Sequence, residues 1–534
     1  MKSNFISSNP KRIENFAEFL NHADFSFVNS LHADPLARKD GNDHIAREVH
    51  SGHYVPVKPK AIKSPQYVSH SNELFSELGL SNKLIEDKKF KKLFTGDFNY
   101  KDQTKLHLGW STGYALSIYG REYIQQCPFG TGNGYGDGRA ISVFEGIFNG
   151  NRWEMQLKGS GPTPYCRGGD GRAVLRSSVR EFLAQEFMNA LGIPTSRSLV
   201  LYVSLTETVS RPWYSKDSNF YEPDILEDNP VAISTRVAPS FLRVGQLELF
   251  SRRVRNNSKK DSYKELEMIV KHIIHRNYMD DIDMEFSFKE QIITLARIYR
   301  ERLTSLVANW IRVGYCQGNF NSDNCALGGF TLDYGPFGFL ELFDPSFQPW
   351  TGGGKHFSFF NQTAAAAANY KMFCESLKPL LENDHMNLEI IDHLINDFTK
   401  VIENKINLMW NDKLGLKYYD DKLVKDLLNL LTISRLDYTS FFRKLSNIDF
   451  SSSFLKNISY GSVSDPLIEK WNYWLNEWNK STKIHNDFNE NSKRMNTFNP
   501  KYTWREWLIV PAYEKAKNGD FSLIRELQNV LNNP

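Results

Sequence analysis

Within this 534-residue sequence, a glycine cluster, a lysine, a glutamate and an Asp-Asn pair with a second aspartate together make up the set that phosphate chemistry requires. A nucleotide phosphate is bound by backbone N–H groups at close approach, a fixed cation, and carboxylate or amide oxygens that hold a divalent metal. Gly130, Gly132, Gly134, Gly136 and Gly138 fall within nine positions and end on Arg139, so the backbone can approach a phosphate without a Cβ in the way. Lys158 stands late in RWEMQLKGS, and Glu181 follows 23 positions later in an amphipathic segment. A strand lysine held by a helix glutamate is how kinase-like folds aim an ammonium group at phosphates. Asp323 and Asn324 in NFNSDNCAL precede Asp333 in LDYGPFGF, and kinases hold magnesium with such an Asn and with the Asp of a D-F-G triplet. Each feature alone has a plainer reading: a mobile glycine loop, a surface Lys and Glu, an Asx turn at Asp323, a solvated stripe of Arg172, Arg176 and Arg180. No H-R-D triplet precedes Asn324, so the chemistry departs from ordinary hydroxyl phosphorylation.

The elements that must position these residues are legible from periodicity. AISVFEGIF and RWEMQLKGS read as two strands joined by a hairpin turn at Asn149-Gly150. Leu175, Val179, Phe182, Leu183, Phe187, Ala190 and Leu191 recur at spacings of three and four, which predicts one long helix that ends near Leu191 before Gly192 and Pro194. SRSLVLYVSL reads as a further strand, and the polar stretch 206–230 as a connection. Helical spacing returns in KELEMIVKHIIHRNY and QIITLARIYRERLTSLVANWIRVGY, and from 370 to 534 the pattern is nearly all helix, with Trp410, Trp471, Trp474 and Trp478 supplying bulk. Ala364 to Ala368 reads as a buried helix start. Pro56, Pro59 and Pro65 break any long helix in the first hundred residues, which read as an extended wrapping segment.

Composition narrows the function classes. Lys plus Arg is 65 against 62 for Asp plus Glu, and a net charge of +3 gives no global field for a nucleic-acid partner. With 41% apolar and 24% charged residues, the chain is neither disordered nor fibrous. No apolar stretch approaches the roughly 18 to 20 residues of a membrane span. Five cysteines without a C-x-x-C pair fit a reducing compartment and no zinc site. The N-terminal segment lacks the apolar centre of a secretory signal, so a cytoplasmic location is expected, with a mitochondrial one as the alternative in a eukaryotic setting.

GDGRAIS, WEMQLKGSGPTPYCRGGDGRAVLRSSVREFL, LGIPTSRSL, RVAPSFLRVG, NSDNCALGGFTLDYGPFGFLELFDP, NPKYTWREWL and KNGDFS carry a resemblance. In these stretches the chain resembles the selenoprotein O family of protein-kinase-like protein adenylyltransferases. That resemblance implies an α+β, two-lobed protein-kinase-like fold with an N-terminal extension (1–100), a small lobe (101–205), a large lobe (206–370) and a helical C-terminal extension (371–534). It implies transfer of AMP from ATP to Ser, Thr or Tyr hydroxyls of client proteins, with Mg2+ or Mn2+, release of pyrophosphate, and neither nucleic acid nor membrane as partner. Carried over by motif, Gly136, Gly138, Arg139, Lys158, Asp170 and Gly171 would contact nucleotide, and Glu181 would orient Lys158. Arg236 and Arg243 would bind phosphates, although Pro239 between them argues for a broken element. Asp323 would accept the proton of the attacking hydroxyl, Asn324 and Asp333 would hold the metal, and Asp333 would also count among the nucleotide-binding residues. The chain departs from the family pattern at Gln317 in place of a histidine, at Gly168-Gly169 before Asp170, and at QQCPFGTG. Two alternatives therefore accompany adenylylation: uridylyl transfer from UTP with manganese, and an ATP-binding pseudokinase scaffold.

Overall fold

β-Branched and aromatic residues in the first half of the chain build one antiparallel sheet in a computed structural model. The structure describes residues 12–534 except 99–105, 107, 114–137, 167–168, 216–217, 219–222, 258–259, 351–353, 383, 448–451 and 483–487. Apart from a separate two-stranded sheet that pairs Tyr315–Cys316 with Gly338–Phe339, the strands among the described residues are β1 (Tyr54–Pro56), β2 (Gln66–His70), β3 (Trp110–Thr112), β4 (Ala140–Phe148), β5 (Asn151–Lys158), β6 (Ala173–Val174), β7 (Arg197–Trp213) and β8 (Ile225–Ala238). They run in the order β1-β3-β4-β5-β8-β7-β2, with β6 paired to β8 beside this path. β1 and β2, from the stretch expected to be an extension, are edge strands of the sheet that also holds Lys158.

The β4–β5 turn is the expected one. Asn149 and Gly150 both take positive φ, 49° and 81°, as a two-residue hairpin loop needs. The 206–230 stretch is not a connection: β7 and β8 pair from Arg197↔Val237 out to Trp213↔Ile225, a hairpin whose outer half leaves the body of the sheet. Its side chains alternate half-buried and exposed there, so a polar composition hides a regular strand.

The long helix covers Leu175–Ala190, with Leu175, Val179, Phe182, Leu183 and Phe187 buried, and lies across β7 and β8. Beyond β8 the chain is helical, chiefly Val244–Arg255, Ser262–Asn277, Phe288–Val313 and Gln362–Leu377. The 26-residue Phe288–Val313 helix starts at a Ser287/Glu290 capping box and stops at Gly314, whose φ of 73° turns the chain into a left-handed cap. The run Ala364 to Ala368 does open the helix Gln362–Leu377, but only Ala365 and Ala366 are buried, while Ala364 is exposed and Ala367 and Ala368 are half-buried. In the Asp465–Thr482 helix, Trp471, Trp474 and Trp478 share one buried face, and each indole N–H donates to a neighbouring element: Ser434 Oγ, Leu423 O and Leu414 O. No described helix is long and apolar enough to cross a membrane.

Candidate functional site

Lys158 ends β5, opposite Ala140 on one side and Ser234 of β8 on the other. Gln156 pairs with Arg236 two residues back, so Gln156, Lys158, Ser234 and Arg236 share one face of the sheet. The Leu175–Ala190 helix delivers Glu181 to this face, with its Oε2 at 2.7 Å from Lys158 Nζ. Arg236 donates to Glu181 Oε1 at 3.3 Å and also reaches Gln156 Oε1. Asp333 completes the cluster, accepting from Lys158 Nζ at 3.0 Å and from Arg236 Nη1 at 2.6 Å. Two cations and two carboxylates thus form one closed network, with Asp333 as its most exposed member at 19%. Burial alone would raise the Asp333 carboxyl, but Lys158, Arg236 and Arg243 hold it well below the usual carboxylate range.

The Asp323 and Asp333 loops meet through a tight hairpin in which Cys325 bridges Thr331. Arg243 caps the Val244–Arg255 helix and bridges Ala326, while Val244 N–H donates to Cys325 O at 3.0 Å. Arg236 therefore lies in a strand and Arg243 at a helix start, with the chain breaking between them near Pro239. Asn321 accepts from Asp323 N–H at 2.8 Å and fixes the short turn Ser322–Asn324. Asp323 is buried, 1% exposed, and Asn324 is half-buried beside it. Asn324 Nδ2 donates to Asn319 O at 2.9 Å, which leaves the amide oxygen as the acceptor of that side chain. An ionised Asp333 and an oriented Asn324 oxygen are hard donors that fit Mg2+ or Mn2+. Among the described residues no three His, Cys, Asp or Glu side chains gather at a metal site, so further ligands at this one would come from nucleotide and water.

The glycine motifs frame the Lys158 end of the sheet. A Cβ on Gly138, whose φ is 64°, would lie 2.3 Å from the Tyr165 carbonyl, and one on Gly171, φ 69°, only 2.1 Å from the Gly161 carbonyl carbon. Arg139 O accepts from Gly159 N–H at 2.9 Å, which sets Arg139 directly beside the lysine. Asp170 is gripped by both Nη atoms of Arg211 at 2.7 and 2.8 Å, so the second D-G-R-A loop is tied to β7. Gly136 and the QQCPFGTG stretch lie outside the described residues.

Three residues at the site escape sequence reasoning or change meaning in the structure. Gln156 carries the signal it needed, because it stands two positions before Lys158 in a strand and must share its face. Arg211 has no local signal, since it meets Asp170 across 41 positions. Gln317, expected to border the nucleotide, is buried and ties the chain before Asp323 to the Asp333 loop: its Nε2 donates to Asp333 O at 2.8 Å and its Oε1 accepts from the Tyr315 hydroxyl. Burial pushes the thiols of Cys316 and Cys325 beside these loops up to about 12, so they are poor thiolates.

Comparison with known proteins adds the following. The sequence model of one family, described as protein adenylyltransferase SelO, matches residues 42–532. The protein nucleotidyltransferase YdiU of Aromatoleum aromaticum is 32% identical over 530 residues, 96% of this chain and 93% of its own. Proteins of the same name from Azoarcus and Flavobacterium johnsoniae are 33% and 31% identical, again over 96% and 95% of this chain.

Proposed function

The chain belongs to the SelO family and is a nucleotidyltransferase, and from that premise we propose that it transfers AMP from ATP to Ser, Thr or Tyr hydroxyls of proteins, releasing pyrophosphate. The observation that carries the proposal is the closed network of Lys158, Glu181, Arg236 and Asp333 at the end of β5. Attack at the α-phosphorus needs cations placed to neutralise the β- and γ-phosphates as they leave. Arg236 and Arg243 supply them: one is fixed on the lysine's own sheet face, and the other is close enough to lower the Asp333 carboxyl.

In this reading Lys158 binds phosphate oxygens, and Glu181 holds its ammonium group in place without occupying the ligand's side. Gly138, Arg139, Asp170 and Gly171 line the approach to that lysine, where the backbone crossings tolerate no Cβ at either glycine. Asp323 accepts the proton of the attacking hydroxyl. Asn324 and Asp333 would hold a divalent cation, which when bound neutralises charge that develops on the phosphates. Because Asp333 is shared by Lys158 and Arg236, nucleotide binding would draw those cations toward phosphate and leave the carboxylate for the metal.

The division into lobes belongs to the same proposal, with the small lobe drawn to include the whole sheet, from β1 and β2 of the first hundred residues to β8, which ends at Ala238. The kinase-like reading rests on the order of glycine motif, lysine strand, glutamate helix and two acidic loops.

The test is incubation with a protein client, metal and ATP labelled at either the α- or the γ-phosphate. Label from the α-position is expected on the client and label from the γ-position in pyrophosphate; retention of only the γ-label would mean phosphorylation. UTP competing better than ATP at matched metal would move the proposal to uridylyl transfer.

A further inference from the structure

Arg176 and Arg180, a solvated stripe as far as sequence shows, are both committed in the fold. Arg176 lies 3.7 Å over the Trp213 ring and pairs with Glu227. Arg180, the residue before Glu181, turns instead to the C-terminal segment. Its Nη1 pairs with Glu506, its Nη2 donates to Phe337 O at 3.0 Å, and its guanidinium sits 4.7 Å from the Phe337 ring and 5.7 Å from the Trp504 ring. Glu506 is itself held, because its other oxygen accepts from Trp504 Nε1 at 2.9 Å. Trp504 is buried, edge-on to Phe337 at 5.2 Å and stacked with Phe339 at 6.3 Å. Arg505 between them pairs with Asp437, so the segment is anchored on the helical half of the molecule.

Neighbouring residues on a helix project about 100° apart. Glu181 faces Lys158 while Arg180 faces Glu506, and one rotation of the helix would disturb both contacts. Phe337 follows Asp333 by four residues in the acidic loop. The two carboxylates that grip Lys158 are therefore each a short backbone step from a group held by Trp504 and Glu506. We propose that Trp504 and Glu506 are positioning residues of the nucleotide site, acting through Arg180 to set Glu181 and Asp333 against Lys158. This rests on the reading of Lys158 as the phosphate-binding cation.

The pair is partly exposed, 21% at Arg180 and 48% at Glu506, so Glu506→Gln in the full-length protein should fold with Tm lowered by less than about 3 °C. We expect kcat to fall between about tenfold and a hundredfold, with KM for nucleotide changing far less. Hydrogen exchange should rise in 175–190 and 333–339 and stay unchanged in β7 and β8. In an Arg180→Gln background, Glu506→Gln should add no further loss, because one interaction has already been removed. Unchanged exchange at both segments, or losses that multiply across the two variants, would overturn the proposal. Exchange that responds as expected in a protein whose parent transfers no nucleotide would uphold the clamp and sink the functional reading instead.

Discussion

Asp333 has two calls on its charge: Lys158 and Arg236 neutralise it here, and in the proposed function a metal would need it during turnover. Replacing it by Asn leaves two buried cations to share Glu181, and breaking a buried pair in this way costs about 3 kcal/mol. Asp333→Asn should therefore lower stability by about that amount without ligand and reduce transfer by at least about a hundredfold. The surplus positive charge should also make metal-free nucleotide raise the Tm of the variant more than that of the parent; thermal shifts with and without metal would show it. The pH dependence has a definite sign. The folded carboxyl titrates far below its ordinary value of 3.8, so on acidification the unfolded chain takes up this proton first. The contribution is complete above about pH 5 and shrinks as pH falls through and below the ordinary value. Urea midpoints between about pH 2 and 4 should fall less steeply for Asp333→Asn than for the parent, and equal slopes would mean the carboxylate is not held ionised.

At the scale of elements, two glycines with the same backbone test how much the D-G-R-A loop depends on close approach. Gly171 and Gly192 have φ of 69° and 72°, but a Cβ on Gly171 would overlap the Gly161–Pro162 backbone, while one on Gly192 meets nothing within 4 Å. Gly192→Ala should cost about 1 kcal/mol from backbone conformation alone. Gly171→Ala should cost at least about 3 kcal/mol, and it should weaken transfer because Asp170 and its Arg211 clasp move with it. Equal urea midpoints for the two variants would show that the crossing yields. What sequence revealed of these elements followed their burial. The Leu175–Ala190 helix and the β4–β5 hairpin bury one face and so write their period into the chain. The outer β7–β8 hairpin buries little, and its polar residues read as a loop because pairing partners, not core contacts, keep it extended. Lys158 and Glu181 were legible because a strand and a helix present them at a familiar spacing, whereas Arg211 and Glu506 reach the site across 41 and 326 positions. Such contacts leave no local pattern.

At the scale of the whole molecule, the last helix packs beside an edge strand from early in the chain, in the sheet that holds the site. Most of the buried apolar residues form one cluster that runs from Ile13 to Leu531, and Ala238, Phe241, Ala326, Phe330 and Leu332 make a second, small one. β2, near the start, receives the last helix: Ser69 Oγ donates to Gln528 Oε1 at 2.6 Å, and Gln528 Nε2 donates to His70 O at 2.9 Å. That helix, Ser522–Leu531, packs on the Leu175–Ala190 helix with Ile524 fully buried. A continuous core makes partial unfolding expensive, because detaching either half exposes apolar surface on the other. Ile524→Ala should remove about 2 to 5 kcal/mol, although it stands ten residues from the end of the chain and far in sequence from Lys158. The loss is expected as a shift of one calorimetric transition, with fluorescence of the Trp471, Trp474 and Trp478 cluster and far-ultraviolet dichroism moving together. If the substitution instead split off an early transition that left the tryptophan cluster untouched, the sheet and the helical half would be separate cooperative units, and the C-terminal segment would be a detachable cover on the nucleotide site.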